Sequence, residues 1–122
     1  MLVTLDHVQL TAPAGCGPLM RTFYADLLGI REVAGPPVLA VRGGCWFTGE
    51  DGGGQLHLGI DTPYHPGTRA HPGLQVWDID GLADRLRSHG APVVWDDRLP
   101  GRRRFYSLDP VGNRLEFLGP AD

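Results

Sequence analysis

Four side chains that can bind a divalent metal fall at corresponding places in the two halves of the chain. His7 stands in the apolar run LDHVQL and His71 in HPGL, while His57 and Glu116 are enclosed by large apolar residues in QLHLGI and RLEFLG. A carboxylate in a half-buried strand is unfavourable unless it is paired, hydrogen-bonded or bound to a metal. Imidazoles and a carboxylate together suit first-row divalent metals. We therefore predict that His7, His57, His71 and Glu116 are metal ligands.

The two halves share one order of predicted elements. Apolar residues predict a first strand over 2–10, and a helix follows from Pro18 to Gly29. Three strand-like pieces come next, IREVAGPPVLAVRG, CWFTGE and QLHLGID. From residue 71 the order repeats with GLQVWD, a helix over DGLADRLRSHG, and the strands PVVWDD, RRFYSL and RLEFLG. The repeated order predicts an internal duplication.

Each predicted helix has one apolar face that it must bury. The apolar positions are Leu19, Phe23 and Leu27 in the first helix and Leu82 and Leu86 in the second. In the second helix Asp80 is the predicted N-cap, and Gly90 is the predicted end.

These elements predict an α+β fold of two tandem βαβββ modules. The modules extend over about 1–60 and 71–119, residues 61–70 link them, and 1–122 forms a single domain. Because each helix has an apolar side to bury, we expect a curved, cup-shaped mixed sheet with the helices on its outer face.

A comparison of the halves without gaps relates the candidate ligands to each other. It places WFTGEDGGGQLHL, residues 46–58, over FYSLDPVGNRLEF, residues 105–117, and HVQL over HPGL. The aligned pairs are Trp46 with Phe105, His57 with Glu116 and His7 with His71. Because side chains alternate along a strand, the four candidate ligands lie opposite to their apolar neighbours and would line the inside of the cup.

The composition limits the classes of partner. Eleven basic residues against fourteen acidic ones give a net charge of −3, so neither nucleic acid nor an anionic membrane is an expected partner. The stretch MLVTLDHVQL lacks a signal-peptide pattern, and no apolar run is long enough to span a membrane. Cys16 and Cys45 have no metal-site or CxxC spacing. We expect a cytoplasmic protein with reduced thiols.

Arginines near the second hairpin offer contacts for an anionic substrate. They are Arg98, Arg102, Arg103 and Arg104 in RLPGRRRFY, and Arg69 stands beside His71. We predict Arg69, Arg102 and Arg104 as substrate-binding residues, with a solvated rim of hairpin arginines as the alternative.

Three segments resemble the vicinal oxygen chelate superfamily. LDHVQL, FYADLLGI and LDPVGNRLEFL are similar to its motifs, and the tandem halves extend the likeness over nearly the whole chain. The superfamily includes glyoxalase I, methylmalonyl-CoA epimerase, extradiol dioxygenases, fosfomycin-resistance thiol transferases and bleomycin-resistance proteins. The resemblance implies metal ligands on the first and last strands of each module, which are the positions of His7, His57, His71 and Glu116.

The resemblance also implies a mechanism. A divalent ion (Fe, Mn, Ni, Co or Zn) would chelate two neighbouring oxygens of a small metabolite and stabilise negative charge on them. Glu116 would be the general base for a proton next to a carbonyl. We therefore expect a metal-dependent lyase or isomerase of the glyoxalase or epimerase type. The glyoxalase and epimerase pattern has a carboxylate or amide where this chain has His57.

Three other functions stay open. Two histidines and a glutamate also suit an Fe(II) extradiol dioxygenase. A thiol transferase of the fosfomycin-resistance type shares the positions of His7, His71 and Glu116. A non-enzymatic protein like the bleomycin-resistance members would bind its ligand in the same cup without a metal. The resemblance further implies a homodimer.

Overall fold

Two four-stranded mixed sheets form the framework of the protein. The computed structural model describes residues 1–121, apart from the side chain of Ala40. The chain divides into two units, Met1–His65 and a second that begins at Pro66, and each has the order βαβββ. The predicted α+β fold of tandem modules is therefore confirmed. The single-domain assignment and the linker over 61–70 stay predictions.

The first module contains four strands and three helical segments. They are β1 (His7–Ala12), α1 (Gly17–Arg21) with a π-helical continuation (Thr22–Leu27), β2 (Arg31–Val33), α2 (Pro37–Ala40), β3 (Cys45–Thr48) and β4 (Gln55–Ile60). The strand order is β1-β4-β3-β2, with β1 parallel to β4 and the other pairs antiparallel. Tyr24 packs on Phe47 with ring centroids 5.5 Å apart, so the helical segment covers the apolar face of this sheet.

Two predictions for the first module are wrong in detail. Leu19 is exposed, because the buried stripe runs at i, i+3, i+4 and i+7 from Met20 and Leu19 lies beside it. The segment IREVAGPPVLAVRG is a strand only over Arg31–Val33. Pro36 and Pro37 follow, and their missing N–H groups favour the helical turn α2 over a strand.

The second module contains four strands and one helix. They are β5 (Gly73–Gln75), α3 (Ile79–Ser88), β6 (Val94–Asp96), β7 (Arg104–Leu108) and β8 (Arg114–Leu118). The strand order is β5-β8-β7-β6, with β5 parallel to β8. Leu82 and Leu86 are buried as predicted.

The N-cap of α3 is Asp78 rather than the predicted Asp80. Oδ1 of Asp78 accepts a hydrogen bond from the backbone N–H of Gly81 at 3.0 Å. Asp80 lies in the first turn of the helix, where its carboxylate accepts hydrogen bonds from Arg103. The capping role therefore belongs to the first of the two aspartates, because the helix begins one residue before Asp80.

Strand register relates the two modules and corrects part of the gapless comparison. In the parallel pairs Gln9 lies opposite His57 and Gly73 opposite Glu116, so the predicted equivalence of His7 with His71 is confirmed. In the antiparallel pairs Trp46 lies opposite His57, whereas Tyr106 lies opposite Glu116. Trp46 therefore corresponds to Tyr106 and not to Phe105. The first hairpin loop, 49–54, is one residue longer than the second, 109–113. A gapless alignment that matches β4 with β8 therefore places β3 one residue out of register with β7.

The turn before β8 is fixed by one buried carboxylate. Asp109 Oδ1 accepts hydrogen bonds from the backbone N–H groups of Val111 (3.0 Å) and Asn113 (2.8 Å), and Oδ2 accepts from the Asn113 amide (2.8 Å). Gly112 has φ +94°, a conformation that other residues rarely adopt. This turn sets the register of β8 and hence the position of Glu116.

Two sequence-based expectations concern the thiols and the membrane. No disulfide joins Cys16 and Cys45, which are both buried, and the S–H of Cys16 donates to the carbonyl of Pro13 at 2.8 Å. No helix within residues 1–121 is long and apolar enough to cross a membrane.

Candidate functional site

A histidine and a carboxylate of the second module converge at their polar atoms. Nε2 of His71 lies 2.9 Å from Oε1 of Glu116, and both side chains are largely buried. The second polar atom of each side chain also has a hydrogen-bond partner. Nδ1–H of His71 donates to the carbonyl oxygen of Arg69 at 2.7 Å, and Nη1 of Arg104 donates to Oε2 of Glu116 at 3.1 Å. The two side chains are thus oriented so that one nitrogen and one oxygen face each other.

The backbone brings this pair together. The N–H of Glu116 donates to the carbonyl of Pro72 at 3.1 Å, so the residue after His71 is tied to the strand that carries Glu116. Gly73 then lies directly opposite Glu116 and places no side chain between the two groups. The parallel β5–β8 register therefore positions the imidazole beside the carboxylate.

Charged residues of β6 and β7 extend this contact into a network. Arg104 also lies 3.4 Å from Asp96, and Nε of Arg98 donates to Asp96 at 2.8 Å. The hydrogen bonds from Arg98 hold the pKa of the Asp96 carboxyl well below its usual range. Nε of Arg104 is buried and has no hydrogen-bond acceptor among residues 1–121. Asp96, Arg98, Arg104 and Glu116 are thus joined in one ionic network.

The first module places rings at the equivalent positions. His57 stacks on Trp46, with ring centroids 3.9 Å apart and an angle of 2° between the ring planes. It also stacks on His7, with ring centroids 4.1 Å apart and an interplanar angle of 17°. His57 is buried, and its Nε2 lies 2.8 Å from Oε1 of Gln55. Burial, together with the nearby His7, lowers the pKa of His57. The first module is therefore an aromatic stack where the second is an ionic network.

The two modules differ in how well they fit a metal. The lone pairs of imidazole lie in the ring plane, so the stacked and nearly parallel rings of His7 and His57 do not aim at one common ion. Joint binding by these two residues stays a prediction that needs one ring to turn. His7 by itself keeps Nε2 available, because its Nδ1 lies 2.8 Å from Oδ2 of Asp6, a common arrangement behind a metal-binding histidine.

The pair in the second module does fit a metal. Two ligands about 2.1 Å from an ion and at right angles are about 3 Å apart, which is the spacing of His71 Nε2 and Glu116 Oε1. The carbonyl behind His71 and the guanidinium behind Glu116 are the kind of partners that orient metal ligands. Among residues 1–121 no cluster of three or more His, Cys, Asp or Glu side chains is close enough to hold one ion. The pair supplies two donors.

The predicted arginines fall into different environments. Arg104 contacts Glu116, as described above, whereas Arg102 donates to the Gly119 carbonyl at 2.7 Å and to Gln75 at 3.1 Å. Arg69 contributes its backbone carbonyl to His71. Arg103 pairs with Asp80 and lies over Trp95 at 4.7 Å. Substrate binding by Arg69, Arg102 and Arg104 stays a prediction. Of these three, Arg104 contacts the His71–Glu116 pair with its side chain and Arg69 with its backbone carbonyl.

Two residues next to this pair were missed by sequence reasoning. The ring of Tyr106 lies edge-on to His71 at 5.4 Å, and the guanidinium of Arg114 lies 4.4 Å over the same ring. Arg114 precedes Glu116 by two residues and so shares its face of β8. That spacing was available in the sequence, but the gapless comparison aligned Trp46 with Phe105 rather than with Tyr106.

Comparisons with known proteins agree with this fold. The family described as glyoxalase-like domain matches residues 17–118. A glyoxalase-family structure from Bacillus anthracis is 39% identical with a TM-score of 0.90, over 98% of this chain and 96% of that one. A glyoxalase/dioxygenase from Nostoc punctiforme is 20% identical with a TM-score of 0.78, over 98% of this chain and 92% of that one. No curated protein matches.

A third structure is a variant of the fosfomycin resistance protein FosX from Listeria monocytogenes. It was crystallised with Mn(II) and 1S,2S-dihydroxypropylphosphonic acid, and it is 16% identical with a TM-score of 0.79, over 99% of this chain and 95% of that one. The tandem βαβββ modules and these matches place the protein in the vicinal oxygen chelate superfamily. Within it, the chain belongs to the family of glyoxalase-like domains.

Proposed function

We propose that the protein is a metal-dependent enzyme of the glyoxalase or epimerase type, a lyase or isomerase for a small oxygenated metabolite. One observation carries the proposal. His71 Nε2 and Glu116 Oε1 face each other at 2.9 Å, and each is oriented by a contact behind it. Hydrogen bonds of this kind to the far atoms of an imidazole and a carboxylate are the contacts that orient metal ligands in proteins.

In this proposal His71 and Glu116 are the metal ligands, and Arg69 and Arg104 orient them. His71 presents Nε2 because its Nδ1–H is committed to the Arg69 carbonyl. Glu116 presents Oε1 because Arg104 holds Oε2. His71 and Glu116 would together hold a divalent cation. When bound, it supplies a Lewis acid that polarises two neighbouring substrate oxygens.

Glu116 is also the proposed general base. For this step the carboxylate would give up its role as a ligand, and Oε1 would accept a proton from a carbon next to a carbonyl. His7 remains a candidate ligand on the strength of the sequence pattern and its available Nε2. We assign His57 to packing rather than to the metal, because both of its ring faces are covered by other rings. The Mn(II) of the FosX complex supports Mn as the first ion to try.

The test is the metal content of protein purified without chelator and without a nickel column. We expect near-stoichiometric Mn, Fe, Co, Ni or Zn by mass spectrometry, and its loss from both His71→Ala and Glu116→Gln. His89→Ala is the matched control, because His89 is an exposed histidine of the same module that also contacts a backbone carbonyl. Equal occupancy in all three variants, or no metal after reconstitution, would overturn the proposal.

A second assay addresses the reaction. Metal-loaded protein is incubated in D₂O with small α-hydroxy ketones and with the hemithioacetal of methylglyoxal and glutathione. The proposal expects deuterium to enter next to the carbonyl, and Glu116→Gln to abolish the exchange. Tight ligand binding without metal or exchange would instead indicate a binding protein, and oxygen consumption with Fe(II) a dioxygenase.

We also propose that the protein is a homodimer. The expectation comes from the superfamily resemblance, because two-module chains in it often pair. Light scattering at micromolar concentration would give twice the 13.2 kDa chain mass. A mass of one chain under those conditions would contradict this assignment.

A further inference from the structure

We propose that Arg114 and Tyr106 form a subsite for an oxyanion, so that the substrate carries a carboxylate or phosphonate group close to its reacting oxygens. The inference rests on the proposed function for the identity of the reacting centre. Its physical basis is independent of the metal, because it follows from the partners of the arginines on one face of the second sheet.

Arg114 differs from the other arginines of this face in its partners. Arg98 and Arg104 donate to carboxylates, and Arg102 donates to a backbone carbonyl and Gln75. Among residues 1–121, Arg114 has no hydrogen-bond acceptor, and its contact is the Tyr106 ring 4.4 Å away. Its N–H donors are therefore available to a ligand.

Tyr106 holds this guanidinium in place. A guanidinium over an aromatic ring is attracted by the negative face of the ring, and its planar group leaves the N–H donors along its edge uncovered. The guanidinium of Arg104 lies 5.5 Å from the same ring, and its buried Nε lacks an acceptor. Two guanidinium groups thus contact one tyrosine ring. The parallel N–H donors of a guanidinium such as that of Arg114 match the oxygens of carboxylate and phosphonate groups.

The strand register places this subsite beside the reacting centre. Tyr106 lies directly opposite Glu116, and Arg114 lies opposite Leu108. Residues two apart on a strand are separated by roughly 7 Å, so Arg114 lies about that far along β8 from Glu116. An anion held there suits a small substrate whose charged group is a few bonds from the oxygens that react.

The acidic groups nearby do not cancel this attraction. Asp96 already accepts hydrogen bonds from Arg98, and Glu116 accepts one from Arg104. Each carboxylate of this face is therefore paired with an arginine of its own. Arg114 has neither a carboxylate partner nor another acceptor among the described residues, and its contact is the Tyr106 ring.

The test uses methylphosphonate as the probe and follows binding by NMR chemical shifts of backbone amides in the full chain. We expect a saturable shift at Tyr106 and Arg114, and at least a tenfold loss of affinity in Arg114→Gln, since a charge-assisted contact is removed. Arg87→Gln is the matched control, because Arg87 is exposed on α3 and pairs with Asp84. Tyr106→Leu keeps the arginine but removes its platform, and we expect an intermediate loss.

Running the titration with and without Mn(II) separates this inference from the proposed function. Arg114-dependent binding in both conditions supports the subsite even if no metal binds. Binding of Mn(II) with methylphosphonate affinity unchanged in Arg114→Gln overturns the subsite and leaves the metal proposal standing. Absence of a saturable shift in the unaltered protein also overturns it.

Discussion

The two modules have the same order of elements and the same parallel strand register, yet the residues at their equivalent positions interact differently. In the first module His57 lies between two rings, and its neighbours Trp46 and His7 are held by stacking. In the second module Glu116 takes the place of His57, and its neighbours hold it by hydrogen bonds from Arg104 and a close contact with His71.

The comparison shows that a duplicated scaffold fixes positions but not chemistry. A neutral imidazole can be buried against rings with one polar partner, so His57 needs no counter-charge. A buried carboxylate needs charged donors, and the second module supplies the Arg104 guanidinium from β7. The single exchange of histidine for glutamate therefore requires a different set of neighbours.

Converting the first module towards the second is expected to have the largest effect on stability. His57→Glu would bury a carboxylate between Trp46 and His7, where the residue that corresponds to Arg104 is Gly44, which has no side chain to donate. We expect a loss of about 3 kcal/mol or more of unfolding free energy in urea denaturation. His57→Gln, which is neutral, is the control and should lose distinctly less. Equal stability of the two variants would contradict the comparison.

Removing the Arg104 guanidinium from the second module is expected to have the next largest effect on stability. Arg104→Gln leaves Oε2 of Glu116 without its donor, and we expect a loss of about 2 kcal/mol in the same denaturation experiment. Arg114→Gln is a matched control on the same sheet face, because Arg114 has no hydrogen-bond acceptor among the described residues. It should change stability by no more than about 0.5 kcal/mol. Similar losses in both variants would mean that pairing does not stabilise this network.

Weakening the aromatic stack should have a smaller effect. Trp46→Leu keeps an apolar side chain but removes the ring that covers His57, and we expect a loss of about 1 kcal/mol. The imidazole protons of His57 should also lose the upfield ring-current shift that a stacked indole produces, which proton NMR would record. An unchanged His57 spectrum would show that the stack is not populated in solution.

The smallest expected effect is on the stability of the protein at low pH. Because Arg98 holds the pKa of Asp96 below its usual range, this contact contributes stability above the ordinary aspartate pKa of about 4, and the contribution is lost as pH falls towards the lowered pKa. Arg98→Gln should raise the pKa of Asp96, measured by carbon NMR of its carboxyl group. Arg87→Gln should leave it unchanged. A pKa that does not respond to Arg98→Gln would contradict the assigned cause.

Much of the fold followed from the sequence because the signals were local and repeated. Alternation and the two helical stripes gave the tandem modules, and the spacing of His7 and His71 gave their equivalence. The shift of Trp46 against Tyr106 could not be obtained in this way, because it depends on a hairpin loop that is one residue longer. Loop length changes register without changing the pattern of either strand.

The candidate site was predicted in its residue types more than in its contacts. The sequence indicated His71 and Glu116 through symmetry and through a charge in an apolar strand. It did not indicate that His57 stacks on Trp46, since stacking depends on which residue lies across the sheet. It also gave no reason to single out Arg114 among eleven basic residues, because an arginine's partners are decided by tertiary structure.

The central claim is that the second module binds the metal through His71 and Glu116 while His57 of the first serves packing. The most direct measurement is a titration with Mn(II), followed by electron paramagnetic resonance, of His57→Phe beside Glu116→Gln. We predict that His57→Phe, which preserves a ring in the stack, binds Mn(II) within about threefold of the unaltered protein, and that Glu116→Gln binds about 100-fold more weakly or not at all. Equal loss in both variants would contradict the account and return His57 to the ligand set.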